Sequence, residues 1–213
     1  MIKIRWHGHA CFEISNDVTI VTDPHDGSSI GIKPPAVKAD IILISHNHYD
    51  HNKVWMVEKE GSEKVEGGDR EIHGIKIRSV KAYHDKEKGS MRGEITIFVF
   101  TVEGITFCHL GDLGHVLDDE KVKEIGNVDI LFIPVGGVFT IDGEEALEIC
   151  RKIQPKVIVP MHYKISGLSL PIERVDDFMA HVEGEYPVRY VANEIEIEKE
   201  DLPSSEEIWI FTL

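Results

Sequence analysis

The chain has 213 residues, 42% of them hydrophobic, and a formal net charge of −15. That is enough apolar mass for a real core. No apolar run reaches the roughly 18 residues that cross a bilayer, and so acidic a chain argues against long nucleic acids, whose binders present a basic face. Cys11, Cys108 and Cys150 lie far apart, form no CxxC pair and leave an odd thiol, which points to a reducing, cytoplasmic setting. The start, MIKIRWHGHACFEI, alternates instead of forming an apolar leader.

In chain order, residues 2–6 and 10–15 alternate as strands, SND at 15–17 turns the chain, and VTIVT at 18–22 is a third strand ending at Asp23 and Pro24. The Gly-, Ser- and Pro-rich loop DGSSIGIKPP leads to an apolar strand over 41–44. Residues 53–60 are expected to be helical. Residues 72–83 hold two short strands or one long one around Gly74, and 94–110 form a hairpin turning at Glu103 and Gly104. A short helix over 118–126 ends in glycine. Then 129–135, 143–153, 156–162 and 172–182 alternate strand, helix, strand, helix, and the tail returns to strand over 187–197 and 207–212. Antiparallel sheet is therefore mixed with βα units, and no linker divides the chain, so one domain over 1–213 is expected.

The most informative stretch is ISHNHYDH at 44–51. A strand buried on both faces reads as a continuous apolar run, and its end opens onto a loop where the sheet can fix functional side chains. In an extended loop alternate side chains point the same way, so His46, His48 and Asp50 share a direction and His51 follows as the chain turns. Neutral imidazole and carboxylate suit zinc, iron, manganese or nickel. Three further strand ends carry a donor: His84 after IKIRSVKAY, Asp112 after ITFCHLG, and His162 after KVIVPM. Five histidines and two aspartates are enough for two metals with an open position.

The motifs SHNHYDH, AYHD, LGDLG and PMHY resemble, in the same order, those of the metallo-β-lactamase superfamily; GHACFEI, TDP and IPVGGVFTI are similar too. The likeness is strongest to its small stand-alone metal-dependent hydrolases, among them an L-ascorbate-6-phosphate lactonase. It implies an α+β fold, a four-layer αββα sandwich, with metals at one edge between the sheets. It further implies that His46, His48 and His84 hold one metal, that Asp50, His51 and His162 hold the other, and that Asp112 bridges them. Asp23 would steady a ligand histidine by hydrogen bond, and His9, in the GHA motif, is a candidate for a similar supporting place or for the core. The flavin-linked di-iron members usually carry glutamate where this chain has His48, which weighs against redox chemistry.

The expected activity is that of a hydrolase using two divalent ions, zinc first, with manganese, iron or nickel compatible. A hydroxide shared between the metals would attack an ester, a lactone or a phosphodiester, with Asp50 beside it to move a proton. Alternatives are a nuclease or cyclic-nucleotide phosphodiesterase, and a metal-binding module without turnover. Lys86, Lys88 and Arg92 follow His84 and suggest a clamp for a small anionic substrate; Tyr163 and Lys164 are similar candidates. His109 is expected to be packed, His7, His25, His73, His115 and His181 to be surface or core, and Cys11 and Cys108 to be core. Oligomerisation is left open.

Overall fold

A computed structural model describes all 213 residues. Two mixed sheets face each other. One has six strands: β1 (Ile2–Trp6), β2 (Phe12–Ser15), β3 (Thr19–Thr22), β4 (Ile41–Leu43) and β5 (Glu63–Val65) follow one another, and β13 (Glu194–Ile197) returns to the outer side of β1. The other has eight. An antiparallel meander of β6 (Arg70–Ile72), β7 (Ile75–Tyr83), β8 (Glu94–Val102) and β9 (Ile105–His109) continues as a parallel set of β10 (Ile130–Pro134), β11 (Val157–Met161), β14 (Glu207–Ile210) and β12 (Val188–Tyr190).

Strand direction decides where side chains can meet. Two antiparallel steps turn β7 back to the direction of β9, and β10 and β11 run parallel to β9. The carboxyl ends of β7, β9 and β11 therefore lie along one edge. In the other sheet β3, β4 and β5 are mutually parallel, so the ends of β3 and β4 also share an edge.

One core of 53 buried residues fills the space between the sheets and continues under the helices. Phe12 on β2 meets Phe132 on β10 at 4.3 Å between ring centroids, and Phe107 on β9 stacks on Phe132 at 6.2 Å. Truncating such a ring to Ala typically costs about 3–5 kcal/mol. Three helices follow: α1 (Asp119–Ile125), α2 (Gly143–Ile153) and α3 (Val175–Val182). The parallel pair β10–β11 needs a crossover, which α2 supplies. A reciprocal capping box fixes its start: Asp142 accepts from Glu145 N and Glu145 accepts from Asp142 N. No helix is long and apolar enough to cross a membrane.

The α+β sandwich is as expected, but the helical layer over the six-stranded sheet is thin. Residues 53–60 form only a 3₁₀ turn at Val54–Met56, where a helix was expected. Lys53 offers no side-chain cap, Lys53 N–H is drawn to Pro24 O, and Val57 enters a small cluster with Cys11, Val21, Ala39, Ile42 and Ile44. Tertiary packing outweighs helix propensity there. The tail also departs from one strand over 187–197. Ala192 adopts φ 56°, and the chain passes from β12 in one sheet to β13 in the other.

Candidate metal centre

All the predicted donors lie where these strand ends converge. Asp23 follows β3, His46 to His51 follow β4, His84 follows β7, Asp112 follows β9, and His162 follows β11. His9 enters from the turn between β1 and β2. The donor atoms of His46, His48 and His84 all lie within 4.8 Å of one another, as do those of His9, Asp50, His51 and His162. Asp112 stands between the two groups. Its Oδ2 is 3.0 Å from His51 Nε2, 3.2 Å from His84 Nε2 and 3.4 Å from His46 Nε2, while its Oδ1 is 3.2 Å from His162 Nε2. His48 is the exposed member of the set.

A second row of contacts aims these rings. Asp23 Oδ1 accepts from Ser45 N–H at 2.7 Å, and its Oδ2 accepts from the Ser45 hydroxyl at 2.6 Å and from His51 Nδ1–H at 3.0 Å. With its proton committed to Asp23, Ser45 Oγ accepts from His46 Nδ1–H at 2.8 Å. One carboxylate thus sets the tautomer of His51 directly and of His46 through a hydroxyl, and leaves both Nε2 lone pairs free. Ser45 opens the SHNHYDH motif, but the sequence assigns it no role. His9 Nε2 lies 2.7 Å from Asp50 Oδ2 and donates to it, which places His9 at the cluster.

Close approach explains two glycines of the motifs. A Cβ on Gly111 would come within 2.6 Å of Ser45 Cβ, and one on Gly136 within 2.1 Å of His162 O. His9, Asp23 and His162 all hold positive φ, at 58°, 37° and 54°. Non-glycine residues adopt such conformations at a cost of order 1–3 kcal/mol and concentrate at functional sites.

The residues fit a metal on a structural criterion. The buried atoms His46 Nε2, His51 Nε2, His162 Nε2 and Asp112 Oδ1 crowd together at 3.0–3.4 Å from Asp112 or its imidazoles, yet none has a partner in hydrogen-bond geometry. Each such group costs roughly 1–3 kcal/mol if left unsatisfied, and all four face one small volume. Burial opposes charge on Asp112, yet His162 and His51 hold its carboxyl well below the usual range. Burial likewise opposes charge on Asp50, which His51 and His9 hold low. His51 is raised despite its burial, by Asp112 and Asp50. His9 is pushed down to about 3 by burial and by His162, so it stays neutral.

The proposed anion clamp narrows. Arg92 lines a cavity of about 280 Å³ over the cluster, together with Tyr49, Phe139 and Leu170. Lys86 turns away to Glu145, 3.0 Å distant, and exposed Lys88 lines neither this cavity nor its neighbour. Tyr163 is buried with its hydroxyl on Phe211 O, and Lys164 donates to Leu168 O and Leu170 O, so neither reads an anion. His109 is packed as expected, donating from Nε2 to Ala10 O and accepting Gly111 N–H at Nδ1. His25 does the same with His7 O and Gly27 N–H. The three cysteines are free and buried. Tyr49, Phe139 and Leu170 went unnoticed in the sequence, because only the folded loops bring them over the donors.

Residues 3–162 match the profile of the family described as Beta-lactamase superfamily domain. A metal-dependent hydrolase of the UPF0173 group from Thermoplasma acidophilum is 32% identical, over 78% of this chain and 85% of that one. Another from Thermococcus onnurineus is 31% identical, over 76% of this chain and 85% of the relative. A crystal structure from Thermotoga maritima, a candidate Zn-dependent hydrolase of the metallo-β-lactamase superfamily, superposes with a TM-score of 0.81 at 37% identity and covers 99% of this chain and 98% of that one.

Proposed function

This chain belongs to the UPF0173 metal-dependent hydrolases of the β-lactamase superfamily, and from that premise we propose that it works with two divalent ions, zinc first, to add water across an ester, lactone or phosphodiester of a small molecule. The observation that carries this reading is Asp112, whose two oxygens face different sets of imidazoles. His46, His48 and His84 are assigned to one ion, Asp50, His51 and His162 to the other, and Asp112 to both. When bound, such ions polarise a substrate oxygen and bring the pKa of water from 15.7 towards about 7.

The side chains supply the rest. Asp23 and Ser45 hold His46 and His51 in the tautomer that presents Nε2. His9 holds Asp50 by Oδ2, while Oδ1 accepts no protein hydrogen bond beside the cavity. That free oxygen is assigned to proton transfer. Tyr49, Phe139 and Leu170 narrow the approach and exclude water from the substrate's apolar part. Buried free cysteines accord with a cytoplasmic location.

The test is a screen of generic lactones, thioesters and phosphodiesters with zinc- or manganese-loaded protein, beside elemental analysis. Turnover that disappears on chelation and returns with metal supports the proposal. Metal bound without turnover on any class would leave a binding module as the better reading, and turnover confined to phosphodiesters would favour the cyclic-nucleotide alternative.

A further inference from the structure

Two neighbouring cavities share three lining residues. The inner one, of about 280 Å³, lies over the metal donors; the outer one, of about 390 Å³, is lined by Glu87, Asp142, Glu145 and Glu173. His84, Arg92 and Phe139 line both. The Arg92 guanidinium carbon lies 5.5 Å from the Phe139 ring centroid, and the guanidinium makes no ion pair or hydrogen bond with the protein. Its position is nonetheless built. The Asp85 carboxylate accepts the backbone N–H groups of Glu87, Gly89, Met91 and Arg92 at 2.7–3.0 Å, so the loop carrying Arg92 is tied to the residue beside His84.

A planar guanidinium lying on an aromatic face, with its donors unused, suits a carboxylate or phosphoryl oxygen. Charge count chooses between them. Lys86, the other cation at the outer cavity, is matched by Glu145. One positive charge is therefore left for the ligand, among carboxylates that would repel a second negative charge. Tyr49, Phe139 and Leu170 line the same cavity as Arg92 and the donors and give it apolar surface.

Resting on the hydrolase reading above, we propose that the substrate is a compact ester or lactone bearing one carboxylate a few carbons from the scissile bond, and that Arg92, lying on Phe139, selects it by that charge. In the reaction the water oxygen bonds to the acyl carbon, the acyl–oxygen bond breaks, and the leaving oxygen takes a proton. The new carboxylic acid ionises, so the product carries one more negative charge than the substrate and leaves past the acidic outer cavity.

The test compares three 4-nitrophenyl esters on zinc-loaded protein: the hemiester of glutaric acid (one negative charge), the methyl glutarate ester (neutral) and the 4-phosphonobutanoate (a dianion). The wild type is expected to favour the monoanion over both others by about tenfold or more in kcat/KM, mainly through KM. Arg92→Ala should bring the monoanion-to-neutral ratio near one, and Arg92→Lys should retain part of it. A wild type without that preference, or a preference that survives Arg92→Ala, overturns the proposal, and a preference for the phosphonate overturns the choice of a single charge. If none of the three esters is cleaved, the broader substrate screen decides the hydrolase reading, and calorimetry with monomethyl glutarate decides the anion site. Binding weakened at least tenfold by Arg92→Ala would keep it; unchanged binding would sink it.

Discussion

Ser45 Oγ donates to Asp23 Oδ2 at 2.6 Å, and that bond decides which nitrogen of His46 faces Asp112. In Ser45→Ala the carboxylate still holds His51, but His46 Nδ1–H loses its acceptor and the ring can rotate. Partners of this kind typically change metal affinity by about 10–100-fold. One of the two proposed sites should weaken by that order while the other keeps its affinity. Competition against a chromophoric chelator reads this directly, and two unchanged affinities would show that the hydroxyl does not position His46.

Stoichiometry tests the division of donors. Protein reconstituted with excess zinc or manganese should approach two equivalents by elemental analysis. His162→Ala removes a donor from one group only, so it should retain about one tight equivalent. Saturation of the wild type at one equivalent, unaffected by His162→Ala, would rule out two sites.

What could be read from the sequence follows from what is local. Apolar runs such as IILI and ILFIP announce buried strands because each residue's environment is fixed by its own sheet. His46, His84, Asp112 and His162 are legible because each stands within three residues of the end of a strand-like run, so strand ends mark their positions without any knowledge of topology. Ser45 and Asp85 act through distant partners or a folded loop, and neither has a periodic signal. The helix expected at 53–60 failed for a related reason. Its apolar residues were needed to cover the outer face of β3 and β4, which no local pattern states. Lys86 and Lys88 read as part of an anion clamp by proximity in sequence to His84, but an exposed loop offers its side chains many directions.

Asp50→Ala should separate chemistry from folding. Asp50 Oδ2 lies 2.7 Å from His9 Nε2 and 3.1 Å from His51 Nε2, so the residue belongs to the cluster and not to the apolar core. Loss of a proton-transfer group typically costs about 10²–10⁴ in rate. The variant should unfold cooperatively near the wild-type temperature while losing activity by that order. Wild-type turnover in Asp50→Ala would remove both roles assigned to it.

Asp85 is 4% exposed and takes four backbone donors. Asp85→Ala leaves those N–H groups without their acceptor, and the loop over 86–93 should exchange its amide hydrogens faster. Because Arg92 N–H is one of the four, substrate binding should weaken in the same variant. Hydrogen exchange of the loop is the measurement; protection equal to the wild type would show that the turn is held by something other than Asp85.

Glu13 gives a pH prediction away from the metal donors. Its carboxylate is buried, 2.9 Å from Lys3 Nζ and 2.9 Å from His7 Nε2, and it accepts from Ser15 Oγ at 3.1 Å. Burial alone would raise its pKa, but His7 and Lys3 outweigh it and hold the group down to about 2. The unfolded chain binds this proton near the ordinary value of about 4.3, so below that pH the unfolded state carries more protons than the folded one. The stabilisation is therefore complete above about pH 4.5 and lost as pH falls towards about 2. In chelator, so that metal release does not contribute, wild-type Tm should drop through that window. Glu13→Gln should melt roughly 3–6 °C lower at about pH 7, a shift expected for a loss of about 1–2 kcal/mol in a chain of this size, and should lose less on acidification. Parallel Tm curves for the two proteins between about pH 4.5 and 2 would show that the acid sensitivity belongs to other carboxylates.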